Sequence, residues 1–287
     1  MGSMTSNRYV HAKPGVAAQL IECLANSQTL AGVRRSIMGR LPFLKLSSDV
    51  TDVVYATWLV DAKRVQRLAP NKAVLWQEDG LTPLTILTYR HGHFGPQALG
   101  RFRKVFPSPL QSNWRLYLKQ PLRDCPDVPT VVFLKNVLDS ALYAVGSRVF
   151  SDALPSHWAA MALDTAASAL TVDIDPGQGS APALRLELTP GAGKVLPVPF
   201  TPLAQSWEDF VQRIAHQDAA VVDLPDIHRI ALARIALPAD LATVEPLVLR
   251  TCTCPWLMEL GALPEAVCFK LPSVAFTALS ERLIEAV

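Results

Sequence analysis

The chain has 287 residues, half of them hydrophobic and 18% charged, with 27 Lys and Arg against 25 Asp and Glu. A mean hydropathy of +0.22 with that apolar share excludes a disordered chain, and no apolar run reaches the roughly 18 residues of a membrane helix. At this size about three quarters of the unfolded surface can be buried, enough for a core without disulfide staples.

Met1-Gly2-Ser3-Met4 reads as an expression scar before Met4, with no signal-peptide core behind it. Cys23, Cys125, Cys252, Cys254 and Cys268 are sparse and odd in number, so free thiols and a cytoplasmic, reducing location are expected. Residues 1–125 carry 17 Lys and Arg against 7 Asp and Glu, and residues 126–287 carry 10 against 18. The basic residues are spaced out and lack a recognition motif, so nucleic acid is not an expected partner. The acid-free stretch from Arg90 to Arg123 would favour an anionic ligand if it lined a cavity, and would only aid solubility if it coated the exterior.

Residues 16–45 have helical periodicity, with Val16, Leu20 and Leu24 on one face, then Leu30, Val33, Ile37 and Leu41. Arg34, Arg35 and Arg40 form the polar side, so these helices are expected to pack their apolar stripes on the domain, the alternative being a basic helix at a membrane surface. From Val53 the signal turns to strands. Ala73–Glu78 and Leu84–Tyr89 flank Asp79-Gly80, a hairpin turn because both residues tolerate positive φ. His91 to Leu110 is a Gly/Pro-rich connection long enough for a lid. Residues 113–119 alternate, placing Asn113, Arg115 and Tyr117 on one face and Trp114, Leu116 and Leu118 on the other. Strands follow at 129–134, 170–175, 183–188, 229–235, 246–254, 266–271 and 274–278. Helical segments lie near 138–150 and at 207–216, the latter capped by Ser206. Many short strands without repeated βαβ units indicate a mainly β (α+β) fold whose antiparallel sheet closes on itself. The expected division is an N-terminal helical extension, 1–48, and one barrel domain, 49–287.

The common nucleotide, zinc-protease and α/β-hydrolase motifs are missing from the sequence, and no metal or cofactor is expected. Asn113, Arg115 and Tyr117 make the most informative triplet. On a closed barrel they would face the lumen, where Arg115 could hold a carboxylate bidentately; on an open sheet they would face water. Trp114 joins them as a candidate substrate contact. Glu78 could turn inward beside the first hairpin. Lys135 ends an apolar run, and a desolvated amine there could form a Schiff base, the alternative being a lysine that marks a strand end. Ser156-His157 invites a nucleophile–base reading, although adjacent residues rarely meet with the right geometry.

Trp58-Leu59-Val60-Asp61, the strand Gln111-Ser112-Asn113-Trp114-Arg115-Leu116-Tyr117, the stretch Val132 to Asp139, Gly146-Ser147-Arg148 to Leu154-Pro155 and Pro255-Trp256 occur in an order that resembles the acetoacetate decarboxylase-like superfamily. The similarity spans roughly residues 50–280 and is strongest to a branch known only as a domain of unknown function. It implies a cone-shaped antiparallel β-barrel around a small-molecule cavity, with N-terminal and peripheral helices. It also implies a Schiff-base lysine after the proline, where this chain has Ser156 and His157, and a carboxylate where it has Gln111. Classical acetoacetate decarboxylation is therefore not expected. The expected function is an enzyme of lyase or cyclase type acting on a carbonyl or carboxylate compound, polyketide-like or aromatic. Arg115, Asn113, Gln111, Trp114, Arg148 and Glu78 would bind the substrate, and His157, Lys135 and Tyr117 would be catalytic. A non-catalytic small-molecule binder is the alternative. The partner is a small anionic or carbonyl ligand, with no membrane, and homo-oligomerisation is left open.

Overall fold

The computed structural model describes residues 7–38, 40–166 and 169–286; the Met1–Met4 start lies outside them. Two N-terminal helices, α1 (Val16–Ala25) and α2 (Gln28–Met38), precede β1 (Leu46–Asp61), a short α3 (Ala62–Gln66), β2 (Leu81–Arg90), β3 (Gly95–Pro96), β4 (Leu110–Tyr117) and β5 (Thr130–Leu138). Then come α4 (Ala141–Phe150), β6 (Ser156–Trp158), β7 (Ala160–Ala166), β8 (Ala169–Asp175) and β9 (Leu184–Pro190). The chain ends with α5 (Trp207–Ala215), β10 (Ala219–Leu224), β11 (Arg229–Ala236), β12 (Glu245–Thr253), α6 (Pro255–Glu259) and β13 (Ala266–Glu285).

β1 explains the closure. It hydrogen-bonds to β2 along one edge and to β13 along the other, so the path β1-β2-β4-β5-β10-β11-β13 returns to its start. Val53 to Val60 are all buried, the near-continuous apolar run of a strand covered on both sides. Asp52, with φ +54°, lies where the β1–β2 register shifts, a bulge that bends the strand. From β13 a second layer extends through β12, β9, β8 and β7. β8 and β9 alternate between buried and open positions, as strands with one solvated face do.

Two cores result. One joins Trp58, Ile86, Trp114 and Leu116 to Val172 and Leu186 of the second layer and to Trp256 of α6. The other joins Tyr55, Tyr117, Phe133 and Phe269 to Phe210 and Ile214 of α5. Ser206 caps α5 by accepting from the Asp209 amide at 3.1 Å, as its sequence implied.

Several expectations are corrected. Residues 73–78 form no strand, only isolated bridges, although Asp79 and Gly80 do adopt positive φ in the turn. The late strands at 266–271 and 274–278 are one continuous β13. The 91–110 connection is pinned, with β3 paired to β1 and residues 97–105 in 3₁₀ turns. Of the seven basic residues between Arg90 and Arg123, only Arg115 is buried.

The N-terminal helices are inverted relative to their sequence pattern. Val16 is 75% exposed and Ile37 53%, whereas Arg34 is buried. Asp152, just after α4, forms an ion pair with Arg34 at 2.5 Å and accepts from Arg35 at 2.7 Å, and this paired charge turns the basic side of α2 inward.

Candidate functional site

Adjacent strands bring polar side chains together on the α5-covered face. Thr57 and Thr85 lie opposite each other on β1 and β2, with hydroxyls 2.8 Å apart. The Tyr117 hydroxyl donates to Thr85 at 2.8 Å. Arg115 donates from Nε to the Tyr117 oxygen at 3.1 Å and from Nη2 to the Ile214 carbonyl at 3.0 Å. Its guanidinium lies 5.6 Å from the Tyr55 and Tyr117 ring centres, within cation–π range. Arg115 is 1% exposed, and among the described residues it forms no ion pair with a carboxylate. Burial opposes its charge, but the phenolic oxygens of Tyr117 and Tyr55 outweigh that and raise its pKa.

Beside Arg115 runs a relay of neutral groups. The His91 Nε2–H donates to Gln111 Oε1 at 2.6 Å, and Gln111 Nε2 donates to Asn136 Oδ1 at 2.8 Å. Asn136 Nδ2 donates to Ser156 at 2.7 Å, whose hydroxyl is 2.6 Å from that of Ser147. The Ser147 hydroxyl also lies 3.0 Å from the Ala144 carbonyl. Because Gln111 Oε1 can only accept, neutral His91 carries its proton on Nε2 and accepts the Ser48 hydroxyl at Nδ1, 2.8 Å away. Burial pushes His91 down to about 4, against a smaller upward pull from Gln111, so it stays neutral. From His91 to Ser156 the donors run one way, an arrangement in which each bond polarises the next, and Ser147 meets it from the other end by donating to Ser156. Asn113 joins by donating to Asn136 Oδ1 at 2.5 Å and accepting from Tyr89 at 3.1 Å.

Lys135 lies on the other face. Along β4 and β5 the pairs run Asn113–Asn136, Trp114–Lys135, then Arg115–Phe133. Leu134 is the extra residue, a bulge that sends Phe133 and Lys135 to opposite sides. The parallel β5–β6 ladder pairs Asn136 with Ser156 and Val137 with His157, so His157 joins Lys135 while Ser156 joins the relay. Lys135 is 6% exposed; its Nζ is 3.5 Å from His157 Nε2 and 3.4 Å from Asn7 Oδ1. Burial, helped by the Arg148 cation, lowers its pKa to about 8. Burial, then the charges of Lys135 and Arg148, hold His157 well below the usual imidazole range. Ser180 accepts from the Val10 amide at 2.8 Å and can donate to the Val10 carbonyl at 3.3 Å. It is thus free to accept a proton from His157 Nδ1, 2.7 Å away, leaving the Nε2 lone pair for the ammonium.

Arg148 donates to three backbone carbonyls, those of Ala25, Ser156 and Asn7, at 3.2, 3.0 and 2.5 Å. Burial lowers its pKa to about 10. The β5–β10 ladder covers only Thr130–Val132. Beyond it a cleft of about 600 Å³ opens, with Phe133, Leu134 and Lys135 on one side, Val222 and Leu224 on the other, and Arg148 beside them.

The residues singled out from sequence therefore separate. Arg115, Asn113, Gln111 and Tyr117 share one face, bonded to neighbouring protein groups. Lys135, His157 and Arg148 gather at the cleft, so a single lumen holding all seven is not found. Trp114 points away from Arg115 and packs 5.4 Å from Trp256, a core residue and not a contact beside the guanidinium. Glu78 is exposed and lies 3.9 Å from Lys119, so it does not turn inward. Sequence reasoning missed Asn7, Tyr9, Asn136 and Ser180. Asn136 was accessible to it as a polar neighbour of Lys135 on the opposite pleat; the others arrive through long-range packing that no local pattern signals.

A seven-strand ring carrying a second strand layer, with buried polar side chains on one face, defines an acetoacetate decarboxylase-like fold. The enduracididine biosynthesis enzyme MppR complexed with pyruvate is similar, with TM-score 0.56, 11% identity, and coverage of 86% of this chain and 93% of that one. An acetoacetate decarboxylase-like enzyme from Sphingomonas wittichii RW1 gives 0.55, 10%, 86% and 95%. Acetoacetate decarboxylase from Legionella pneumophila gives 0.52, 10%, 85% and 90%. Within this class the chain belongs to the DUF2071 family of uncharacterized conserved proteins, whose sequence model matches residues 48–212. No curated protein matches it in sequence.

Proposed function

We propose that the protein is an enzyme of lyase or cyclase type acting on a small carbonyl compound, with Lys135 as its nucleophile. The observation that carries this reading is a desolvated amine, lowered to about 8, at the edge of the cleft and beside Arg148. A neutral amine adds to a carbonyl carbon, the C=O pair moves to oxygen, and loss of water leaves an iminium that can accept electrons from a neighbouring bond. Arg148 favours the uncharged amine and offers attraction to a substrate anion. His157 orients Nζ through its Nε2 lone pair. Arg115 has no direct part in this reading, since Tyr117 and Ile214 engage it across the sheet.

Borohydride reduction in the presence of pyruvate or acetoacetate tests the proposal. The expected product is a secondary amine on Lys135, identified by peptide mass and absent from Lys135→Met. No adduct with either acid, under conditions where the amine is otherwise reactive, refutes it. One observation favours a non-catalytic binder instead: His157 is held neutral and has no spare proton to give near neutral pH. Binding by calorimetry without turnover or adduct is the result that reading expects.

A further inference from the structure

The segment before α1 crosses the Lys135 cluster. Tyr9 is fully buried, and its amide donates to Asn26 Oδ1 at 2.8 Å while its carbonyl accepts from Asn26 Nδ2 at 2.8 Å. The Gln178 amide donates to the Ala12 carbonyl at 3.0 Å and the Ser180 amide to the Val10 carbonyl at 3.2 Å. The 176–180 turn is shaped to receive it. Gly177 has φ +53°, and a Cβ there would lie 2.8 Å from the Ala12 carbonyl oxygen; one on Gly179 would lie 3.1 Å from Ala12 backbone atoms. Only glycine lets the two backbones approach so closely.

At its start this segment presents two carbonyl oxygens to the two cations of the cluster. The Asn7 side-chain oxygen is 3.4 Å from Lys135 Nζ, and the Asn7 main-chain oxygen is 2.5 Å from Arg148 Nη2. Their carbonyl carbons, Cγ and C, are separated by Cβ and Cα. That is the 1,4 relationship between the ketone and the carboxylate of a 4-oxo acid. We propose that Asn7 is a built-in occupant of the substrate position, and that the site takes a γ-keto acid with its ketone at Lys135 and its carboxylate at Arg148. A 2-oxo or 3-oxo acid is one or two carbons too short to reach both cations as Asn7 does. This inference rests on the proposed role of Lys135 and narrows it to a substrate class.

The test uses the full chain, levulinate (4-oxopentanoate) as probe, and borohydride trapping on Lys135 against acetoacetate and pyruvate at equal concentration. Levulinate is expected to be trapped at least about tenfold faster than either, the worth of one extra charge-assisted hydrogen bond. Asn7→Gly, which removes only the competing side-chain carbonyl, is expected to raise levulinate trapping several-fold. Asn7→Asp, which pairs a carboxylate with Lys135, is expected to lower it. Equal trapping of the three acids, or no response to either Asn7 variant, overturns the inference while leaving Lys135 a carbonyl nucleophile. Trapping of none, with Lys135 still acylated by a small active ester, overturns the proposed function and the inference with it. Circular dichroism of both variants confirms that the fold is retained.

Discussion

Arg115→Met removes a buried cation while keeping most of the side chain's volume. Two effects oppose each other. The Ile214 carbonyl loses its closer donor and keeps only the Tyr117 hydroxyl at 3.4 Å, so the loss is bounded by the about 1–3 kcal/mol of an orphaned buried acceptor. The Tyr117 hydroxyl keeps Thr85 at 2.8 Å and adds little to the loss. Against this, exchanging a desolvated ion for an apolar group of similar size is often neutral or stabilising by about 1–4 kcal/mol. The absence of a carboxylate partner among the described residues places Arg115 toward the upper part of that range. The expected net is between no change and about 2 kcal/mol of added stability. Urea denaturation reads this as an unchanged or higher midpoint with an unchanged slope. A loss above about 2 kcal/mol would show that the guanidinium is a structural keystone, and the reasoning would fail.

Acylation of Lys135 should rise with pH through a midpoint near 8, because only the neutral amine attacks; Arg148→Met should move that midpoint upward, and an unchanged midpoint would deny the coupling. Asp152→Asn removes the charge that Arg34 and Arg35 share, leaving Arg34 only Glu281 at 3.9 Å, and should cost about 2–4 kcal/mol, read by denaturation and by proteolysis within α2. The pH sense follows from Asp152, which burial raises but its bonds to Arg35 and Arg34 lower further. Its contribution is complete above the ordinary carboxylate value of 3.8 and is lost as pH falls through the lower folded value. Trp114→Ala should cost about 3–5 kcal/mol in melting experiments, and a loss below about 1 kcal/mol would contradict its placement in the core. Gly177→Ala should displace the segment over the cluster, seen as a faster Lys135 reaction; an unchanged rate would show that the turn and the segment are not tightly seated.

The strands were legible where local pattern and long-range pairing agree. Residues 113–117 show it: their alternation is the pleat of β4, and the structure keeps Asn113, Arg115 and Tyr117 on one face. Alternation failed at Leu134. A regular pleat would put Phe133 and Lys135 on the same side, and only the mismatch of ladder lengths between β4 and β5 reveals the bulge. Helical periodicity also gave the right elements and the wrong orientation for α1 and α2. The pattern records which residues share a side, whereas the paired charges at Asp152 decide which side turns inward. Asn7, beside Lys135, and Tyr9, stacked 6.4 Å from His157, carry no motif, and the segment that bears them is seated by a glycine-cut turn some 170 residues further along the chain.

The double pairing of β1 has a mechanical consequence. With β2 and β13 clasping it on both flanks, the ring cannot be unzipped one strand at a time, and amides along β1 should exchange only when the whole ring opens. The second layer has no such closure, because β7 ends the path with one flank paired only to β8. Deuterium should enter at β7, then β8 and β9, well before it reaches the ring, so heating would fray the molecule from that border inward.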